Sequence, residues 1–531
     1  MLYGPGKIIS EHSGLQITGN NIIIDGLTFT RANPTNATEI HYNPGISLRG
    51  DNLTIRNTEV SNMDGQGISV SGRNILIENC YSHNNITGVY LTGHSRFVKI
   101  INNKIENNNL VTDSGTDGIL CSRTCVYISI INNDIINNGE HGVYFQGQKA
   151  QFIGNRILNN TQDGLKFGSY DTGGFVYDGE ELDLWVTGSE NIPGFNGVVG
   201  ADGFGMSDIV IDSNVIENNR GGDGIYIQPS MRNCIIKNNH LKNNDIRTVY
   251  FNYSGNNIRL EDIYNIKIVD NILKGNNNET NLPVKITCQV YDGLEIRNNI
   301  IAGDISIYAQ NSTTAPRFSA TNNNCIIEGN KCVSINLSRY NTTTLKNNTF
   351  YNLSMNTNGD VVDLFHNTII NSGNIDIRRL RTVVNNNIKC FSMIGTGSGT
   401  IQLMSGNIIQ CTKSDGISFQ GQNASTNALV ARYGKIIDNN FIYNWSSFVE
   451  AGSQTQNMIF SNNTLSTSYE TTDNFPLNIR GFCCLVNGNI LSSGSIIFYG
   501  SNNAAFNNIV TGTDISVNNG TNITKANNII L

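Results

Sequence analysis

Residues 128–146 read ISIINNDIINNGEHGVYFQ, and residues 150–168 read AQFIGNRILNNTQDGLKFG. Both stretches contain short runs in which every second residue is apolar, and an Asn preceded by Asn or Gly separates the first two runs. Such alternation predicts short β-strands that bury one face. Because Asn and Gly tolerate the left-handed backbone of tight corners, we interpret each stretch as one turn of a coil.

The same pattern recurs along almost the whole chain of 531 residues. Many of the repeats are about 19 to 33 residues long, the range of stacked supersecondary units. Asn side chains at one stacked position can hydrogen-bond from coil to coil. The sequence therefore predicts an all-β fold, a right-handed, single-stranded parallel β-helix of about twenty coils with almost no α-helix. An antiparallel β-sandwich, the competing fold, does not explain a single Asn register. The recurrent position is Asn103, Asn133, Asn155, Asn214, Asn239, Asn271, Asn299, Asn330, Asn348, Asn367, Asn407, Asn440, Asn463, Asn489, Asn508 and Asn528.

Composition restricts the partners and cofactors. Charged residues make up 15% of the chain, the net charge is −7, and there is no basic block, which argues against a nucleic-acid partner. No apolar run approaches the roughly 18 residues of a membrane span. Four of the eleven cysteines, Cys80, Cys121, Cys288 and Cys484, lie in apolar strand patterns, so we predict reduced core residues. Cys121 and Cys125 come nearest to a metal pair, but no His cluster follows, and we predict neither a metal nor a cofactor.

A second strand type recurs in the first half of the chain, as in GVYFQG and GIYIQP. Alternation predicts one row of outward side chains, half of them Tyr, with Gln146 among the polar neighbours. A flat row of aromatic rings edged by amides and hydroxyls suits sugar rings, so we predict a glycan-binding platform. Ordinary strand filling would also explain the row, because Tyr is favoured on strands. The row is Ser47, Ser69, Tyr90, Leu120, Tyr144, Lys166, Tyr226 and Tyr250.

Titratable residues precede these strands in the middle coils only. An Asp before Gly is common turn chemistry, which explains each one singly. A group of them on stacked coils predicts a site. Residues one and two coils apart lie about 5 and 10 Å from each other, while glycosidases hold paired carboxyl groups about 5 Å or about 6.5–9.5 Å apart. The residues are Asp117, Glu140, His141, Asp163, Asp223 and Arg247.

We predict Glu140 and Asp163 as the first catalytic pair of a glycoside hydrolase, with Asp223, Asp117 and His141 as further catalytic candidates. The predicted substrate-binding residues are Tyr144, Lys166, Tyr226, Tyr250, Trp185, Arg247 and Gln146. A polysaccharide lyase would instead need a base and a cation, for which Lys166, His141, Tyr144 or Arg247 could serve. Spacing does not separate the two reactions.

Residues 169–208 interrupt the repeat with an acidic and aromatic segment that contains Trp185. A loop of this length is uncommon unless it is functional, so we predict that it forms one wall of a groove. A surface loop without a function, or a loop that contacts another subunit, would also account for this segment. The segment supplies reserve carboxyl groups, namely Glu180, Glu181, Asp183 and Asp202.

The NNxI and GIxI coils resemble the repeats of pectate-lyase-like parallel β-helix proteins over nearly the whole chain, most of all those of bacteriophage tailspike depolymerases. The resemblance implies a homotrimer on the virion tail that binds and cleaves capsule or O-antigen outside the cell. The start MLYGPGKIIS lacks the apolar core of a signal peptide, and we expect virion attachment through a preceding segment. The polygalacturonase signatures NTD, DD, GHG and RIK and the epimerase signature DPH are absent, so no catalytic residue is carried over.

The expected organisation is a β-helix with the glycan groove over residues 1–330. Residues 331–531 are expected to continue the helix as stem and trimer contact. The expected function is cleavage of bacterial surface polysaccharide, with hydrolysis ahead of β-elimination. Two competing functions are that of a non-catalytic glycan-binding adhesin or fibre and that of a structural bacterial surface protein.

Overall fold

The structure is a computed structural model. It describes residues 2–10, 14–32, 43–92, 95–109, 115–122, 125–168, 174–177, 183–186, 206–227, 231–244, 249–251, 262–275, 284–288, 290–309, 324–338, 342–355, 361–376, 379–394, 401–412, 417–419, 431–432, 434–443, 449–451, 455–467, 477–492, 495–511, 515–518 and 520–531. The described residues contain no α-helix. The chain divides into two compact units, Met1–Asn323 and Asn324–Leu531.

In the first unit each coil contributes strands to three rows of parallel strands, which we call rows A, B and C. Row A consists of Leu2–Ser10, Ile22–Arg31, Leu53–Arg56, Arg73–Glu78, Arg96–Ile101, Val126–Ile131, Gln148–Ile153, Met206–Asp212, Met231–Lys237, Asp262–Val269, Val290–Asp292 and Leu294–Arg297. Row B consists of Glu59–Ser61, Tyr81–His83, Lys104–Glu106, Asp134–Ile136, Arg156–Leu158, Val215–Glu217, His240–Asn244, Ile272–Gly275 and Ile300–Ala302. Row C consists of Leu15–Thr18, Ile46–Arg49, Gln66–Ser71, Thr87–Leu91, Ile119–Cys121, Val143–Phe145, Leu165–Phe167, Ile225–Ile227, Val249–Phe251, Val284–Cys288 and Ile305–Ala309.

The second unit repeats this parallel arrangement with shorter strands. Its first row consists of Cys325–Glu328, Thr343–Lys346, Val362–Phe365, Leu380–Val384, Leu403–Ser405, Lys435–Ile437, Ile459–Ser461, Leu485–Asn487, Ala504–Phe506 and Thr524–Ala526. The other strands are Ser334–Ser338, Thr349–Phe350, Asn352–Met355, Thr368–Asp376, Asn387–Ile394, Ile408–Cys411, Ile417–Phe419, Ala431–Arg432, Asn440–Tyr443, Val449–Ala451, Thr455–Gln456, Thr464–Thr467, Leu477–Ile479, Ile490–Leu491, Ile496–Phe498, Ile509–Val510, Ile515–Val517 and Ile529–Ile530.

The predicted Asn position forms a buried ladder within each unit. The Asn133 Oδ1 atom accepts hydrogen bonds from both the backbone N–H and the Nδ2 of Asn103, each at 2.9 Å. The Asn133 Nδ2 donates to the Ile100 carbonyl at 2.9 Å and to Asn155 Oδ1 at 3.0 Å. The amide thus satisfies backbone groups inside a corner that water does not reach, which explains why one residue type recurs there.

Two assignments along this ladder need correction. In the second unit the ladder residue is Asn439, not the predicted Asn440, because Asn407 donates to the Asn439 Oδ1. Asn386 also belongs to the ladder, between Asn367 and Asn407, and the repeat pattern did not indicate it. Both errors come from runs of consecutive Asn, where spacing alone does not identify which amide points inward.

The residue before each ladder Asn makes the corner possible. Asn102 and Asn132 have φ angles of 56° and 53°, and Gly154 has a φ of 64°. Asn and Gly occupy this left-handed region at little cost. A second Asn ladder, five residues further on, was not predicted and runs through Asn85, Asn108, Asn138, Asn160, Asn219 and Asn244.

The core consists of the alternate apolar residues that the pattern predicted to point inward. Phe145, Phe152 and Phe167 have no exposed surface and meet edge to face, with ring centroids 5.3–6.0 Å apart. Cys80, Cys121 and Cys484 are buried and reduced, as predicted, whereas the Cys288 side chain lies outside the described residues. Among the parts of the chain that the structure describes, no helix is long and apolar enough to cross a membrane.

The insertion lies between row C strand Leu165–Phe167 and row A strand Met206–Asp212. It contains an antiparallel hairpin of strands Gly174–Tyr177 and Asp183–Val186, in which Phe175 pairs with Trp185. The repeat resumes at Met206, slightly before the predicted end of the insertion at residue 208.

Candidate functional site

Row C places the predicted outward residues in a single register. Tyr144 pairs with Leu120 on one side and with Lys166 on the other, and Lys166 pairs with Tyr226. The pairing continues from Ser47 to Tyr250 without a shift. The inward partners Val143 and Phe145 are fully buried. The register of the predicted platform is therefore confirmed.

The residues just before the row C glycines form a polar ladder of their own. The Asp117 Oδ1 accepts the backbone N–H of His141 at 3.1 Å. The His141 Nδ1 lies 3.2 Å from the backbone N of Asp163, and the Asp163 Oδ1 accepts the backbone N–H of Asp223 at 2.6 Å. All four residues are buried, with at most 6% of any residue exposed. Asp117, His141 and Asp163 thus have a structural task, which is to bind the backbone of the next coil.

The His141 ring lies between two carboxyl groups. Its Nδ1 is 3.3 Å from Asp163 Oδ2, and its Nε2 is 3.6 Å from Glu140 Oε1. Each ring nitrogen also faces a donor, the Asp163 backbone N–H at Nδ1 and the Lys166 ammonium at Nε2, 3.2 Å away. Since Nδ1 accepts the Asp163 N–H, the neutral ring carries its proton on Nε2, the nitrogen that faces Glu140.

Lys166 connects this ring to the tyrosine platform. Its Nζ atom lies 5.1 Å from the centre of the Tyr144 ring and 5.9 Å from that of Tyr226, both within cation–π range. Tyr144 also meets His141 edge on, with 5.5 Å between centroids. Only 9% of Tyr144 is exposed, because the chain passes close over it, and a Cβ atom on Gly168 would lie 2.7 Å from the Tyr144 ring. Lys166 and Tyr226 are half-buried and border the surface.

Glu140 is the carboxyl group of this cluster that reaches the surface. Its side chain keeps 19% of its area exposed, against 9% for Asp163 and 1% for His141. Its Oε2 accepts the backbone N–H of Gly115 at 2.7 Å, which fixes the carboxylate beside the imidazole. Glu140 is therefore accessible to a molecule bound beside row C, whereas Asp163 and His141 are too buried for direct contact.

Burial changes the acidity of Asp117. Desolvation raises the pKa of its carboxyl group from 3.8 to about 7, against the opposing pull of His141. Coulombic repulsion from Glu140 raises it further, and the hydrogen bond from the His141 backbone and the charge of Lys166 lower it. A carboxyl group that titrates near neutrality beside a histidine is an arrangement that active sites share.

A metal ion has one candidate position among the described residues. Asp117, Glu140 and His141 each offer one ligand atom, and these atoms lie within 4.8 Å of one another. The Lys166 ammonium, 3.2 Å from His141 Nε2, places a positive charge at the same spot. Because that charge would repel a cation, we assign no metal to the cluster.

The remaining predicted residues divide between described and undescribed parts of the chain. Gln146 follows Tyr144 on the same face and is half-buried. Tyr250 and Trp185 lie on strands, but their side chains are outside the described residues, as are Arg247, Glu180, Glu181 and Asp202. Asp183 begins the second hairpin strand. Their roles stay predictions.

Sequence reasoning missed a second surface, a groove of about 600 Å³ on the outer face of row A. Phe97, Tyr127 and Lys149 line it together with the outward residues Lys99 and Gln151. A signal for it exists in the sequence, because Phe97, Tyr127 and Lys149 occupy a corner position at which neighbouring coils carry Asn.

Comparison with known proteins agrees with this architecture. A family described as "right handed beta helix region" matches residues 13–179 and 108–263. Together with the parallel rows of the structure, this match confirms that the chain is a right-handed parallel β-helix. No curated protein matches it.

Several solved structures resemble the chain at low identity. The Dettilon tailspike protein is 12% identical, with 77% of this chain and 59% of that chain covered and a TM-score of 0.31. A mutant tailspike of E. coli bacteriophage HK620, in complex with a hexasaccharide, is 11% identical, with 95% and 73% covered and a TM-score of 0.27. A mutant of the PL6 family alginate lyase AlyGC is 13% identical, with 99% and 97% covered and a TM-score of 0.24. These likenesses are too distant to assign a reaction.

Proposed function

We propose that this protein binds and depolymerises an acidic bacterial surface polysaccharide at row C. The observation that supports the proposal is the position of Lys166. Its ammonium group lies against His141 Nε2 and over the rings of Tyr144 and Tyr226, on a rigid strand bordering the surface. A fixed cation beside aromatic rings suits a sugar that carries a carboxylate.

In this proposal Glu140 is the catalytic residue that exchanges a proton with the substrate. It is the exposed carboxyl group of the cluster, and its Oε1 faces the His141 ring at 3.6 Å. His141 restores the protonation state of Glu140, while Asp163 orients the ring from the other side at 3.3 Å. His141 and Asp163 are therefore positioning residues, because the ring and the carboxylate behind it are buried.

β-Elimination is the reaction that these groups support best. It requires a cation on the uronate carboxylate and a base for the neighbouring C–H proton. Lys166 and Glu140 supply both within one contact network. Elimination breaks the C–H bond and the bond to the leaving glycosidic oxygen and forms a C=C bond. In the proposal Glu140 takes the C–H proton and then gives it to the leaving glycosidic oxygen, so that the protons balance.

Glycoside hydrolysis is the second candidate. It is favoured by the partly buried Glu140, which suits a general acid, but it needs a second carboxyl group at the surface. Asp163, the predicted partner, uses one oxygen for the Asp223 backbone and directs the other towards His141. That geometry moves our preference from hydrolysis to elimination.

The test is to incubate the protein with a panel of purified acidic capsules and to follow reducing ends and absorbance near 235 nm together. Elimination gives both signals, and hydrolysis gives reducing ends alone. Glu140→Gln and Lys166→Ala should each reduce the rate by roughly 10²-fold or more, whereas Glu217→Gln on row B should not. If the unaltered protein binds the polysaccharide but does not cleave it, the proposed enzymatic activity is refuted and a glycan-binding adhesin is the remaining function.

We further propose a homotrimer that is located on a virion tail and acts at the bacterial surface. This rests on the resemblance of the repeats to tailspike depolymerases. Light scattering of the purified protein tests the trimer, since a monomeric mass at working concentration would contradict it.

A further inference from the structure

One corner of the first unit carries unusual residues. One position lies directly before the row A strands Ile22–Arg31 and Leu53–Arg56 and within the first four residues of the seven row A strands that follow them. It is in register from coil to coil, and its φ angle is positive throughout, between 51° and 60°. Five of the nine residues are Asn, which suits this conformation. The others are three bulky side chains in successive coils and one Asp. In order they are Asn21, Asn52, Asn74, Phe97, Tyr127, Lys149, Asp208, Asn233 and Asn265.

The bulky residues have no conformational reason to be there. A left-handed backbone costs a residue other than Gly, Asn or Asp about 1–2 kcal/mol. They also interrupt a chain of side-chain hydrogen bonds. Asn74 Nδ2 donates to Asn52 Oδ1 at 3.1 Å before the interruption, and Asn233 Nδ2 donates to Asp208 Oδ1 at 3.0 Å after it. Strained residues of this kind concentrate at functional sites.

These three side chains build an ordered surface. The rings of Phe97 and Tyr127 stack in parallel, with 4.8 Å between centroids and 5° between planes. The Lys149 ammonium lies 5.3 Å from the Tyr127 ring centre and donates to the Tyr127 hydroxyl at 3.4 Å. Phe97 is 44% exposed, so one end of the stack is open to solvent.

The stack is one wall of the row A groove. The floor carries the outward residues of the same strands, among them Lys99, Ser129 and Gln151. The Gln151 amide donates to the Ser129 hydroxyl at 2.8 Å, which holds both polar groups in place. The groove therefore combines an exposed aromatic face, two lysines, the Asp208 carboxylate and oriented amide and hydroxyl groups.

We propose that this groove is a second carbohydrate site, which binds an acidic oligosaccharide segment. A sugar ring would stack on Phe97, the open end of the aromatic pair, and its carboxylate would meet Lys99 or Lys149. The site lies on row A, away from the row C cluster, and its task is to hold the polymer. The inference rests on the proposed function only for the acidic nature of the polymer.

The test uses the triple variant Phe97→Asn, Tyr127→Asn and Lys149→Asn, which restores the residue type of the neighbouring coils. Uronate oligosaccharides from polygalacturonate, alginate and hyaluronate are titrated into both proteins by calorimetry. We expect binding to be roughly tenfold or more weaker in the variant. The melting temperature should stay the same or rise, because Asn relieves the strain at each corner. Tyr351→Asn, which removes an exposed tyrosine of the second unit, is the matched control.

Hydrogen exchange then locates the bound sugar. Protection of residues 96–101, 126–131 and 148–153 supports the row A site, whereas protection confined to residues 143–145 and 165–167 of row C overturns it. Unchanged binding in the triple variant, a lower melting temperature, a changed oligomeric state, or no uronate binding by the unaltered protein would each overturn it as well. Binding at row A by a protein that cleaves nothing would refute only the proposed enzyme, which keeps the two failures distinguishable.

Discussion

Replacing Asp117 by Asn should remove a pH-dependent contribution to stability. The folded protein holds the Asp117 proton up to a pKa of about 7, because the carboxyl group is desolvated. In the unfolded chain the same group titrates near 3.8. Its protonated form therefore stabilises the fold fully below about pH 4, and this stability is lost as the pH rises towards 7. An interval of about three pH units at about 1.4 kcal/mol per unit amounts to about 4 kcal/mol.

Asn is the matched substitution, because its Oδ1 can still accept the backbone N–H of His141 that Asp117 binds at 3.1 Å. Urea unfolding of both proteins is measured from pH 4 to pH 8.5, with amide exchange at His141 as a local probe, since a coil protein need not unfold in one step. Relative to the variant, the unaltered protein should lose about 4 kcal/mol across this range. Asp134→Asn at the surface is the control. Parallel stability curves for the unaltered protein and Asp117→Asn would refute the reasoning.

Four further substitutions test the ladders and the platform. Asn133→Ala should lower the free energy of unfolding by about 3 kcal/mol in urea titration, because it leaves buried backbone groups without partners; the exposed Asn109→Ala should cost far less. Tyr226→Ala should weaken oligosaccharide binding in calorimetry and leave the melting temperature unchanged. Tyr144→Ala removes a nearly buried ring, so it should reduce both the binding affinity and the melting temperature. Equal effects of the two substitutions on the melting temperature would contradict the assigned exposures. His141→Asn should keep the melting temperature, since an amide can accept the Asp163 N–H, but should slow depolymerisation by roughly 10²-fold; unchanged rates would exclude the imidazole from proton exchange.

The fold could be predicted because every coil has the same corner geometry and uses the same residue types to form it. Each corner needs a residue with a left-handed backbone conformation, followed by a side-chain amide that hydrogen-bonds to buried backbone groups. Asn132 and Asn133 meet the two requirements in turn. Where two Asn residues are adjacent, the sequence does not show which one points inward, and the prediction of Asn440 instead of Asn439 was wrong for this reason. The second Asn ladder is not evident from the sequence, because consecutive Asn residues are equally typical of turns.

The candidate site could be predicted only as a set of residues on one face. Strand alternation placed Tyr144, Lys166 and Tyr226 in one outward row, and the register agrees. The alternation of apolar residues predicts side-chain direction only within a strand. Glu140 and His141 precede the strand, so the backbone conformation of the corner sets the direction of their side chains. For this reason the sequence alone predicts Glu140 and Asp163 as equivalent members of a catalytic pair. The structure separates them, since one borders the surface and the other binds the backbone of the next coil.

The choice of residue type at the row C corner supports a function beyond turn formation. Asp117, His141 and Asp163 each accept a backbone N–H from the following coil. Amides accept the same kind of hydrogen bond elsewhere in this unit, where Asn138 accepts the Asn108 N–H and Asn160 that of Asn138. An amide carries no charge, so it avoids the desolvation that moves the pKa of Asp117 to about 7. Asp117, beside the partly exposed Glu140 and the fixed Lys166, therefore costs stability at neutral pH at a corner where an amide would suffice. In the proposed function, proton exchange with a bound substrate is the property that an ionisable group adds at this corner.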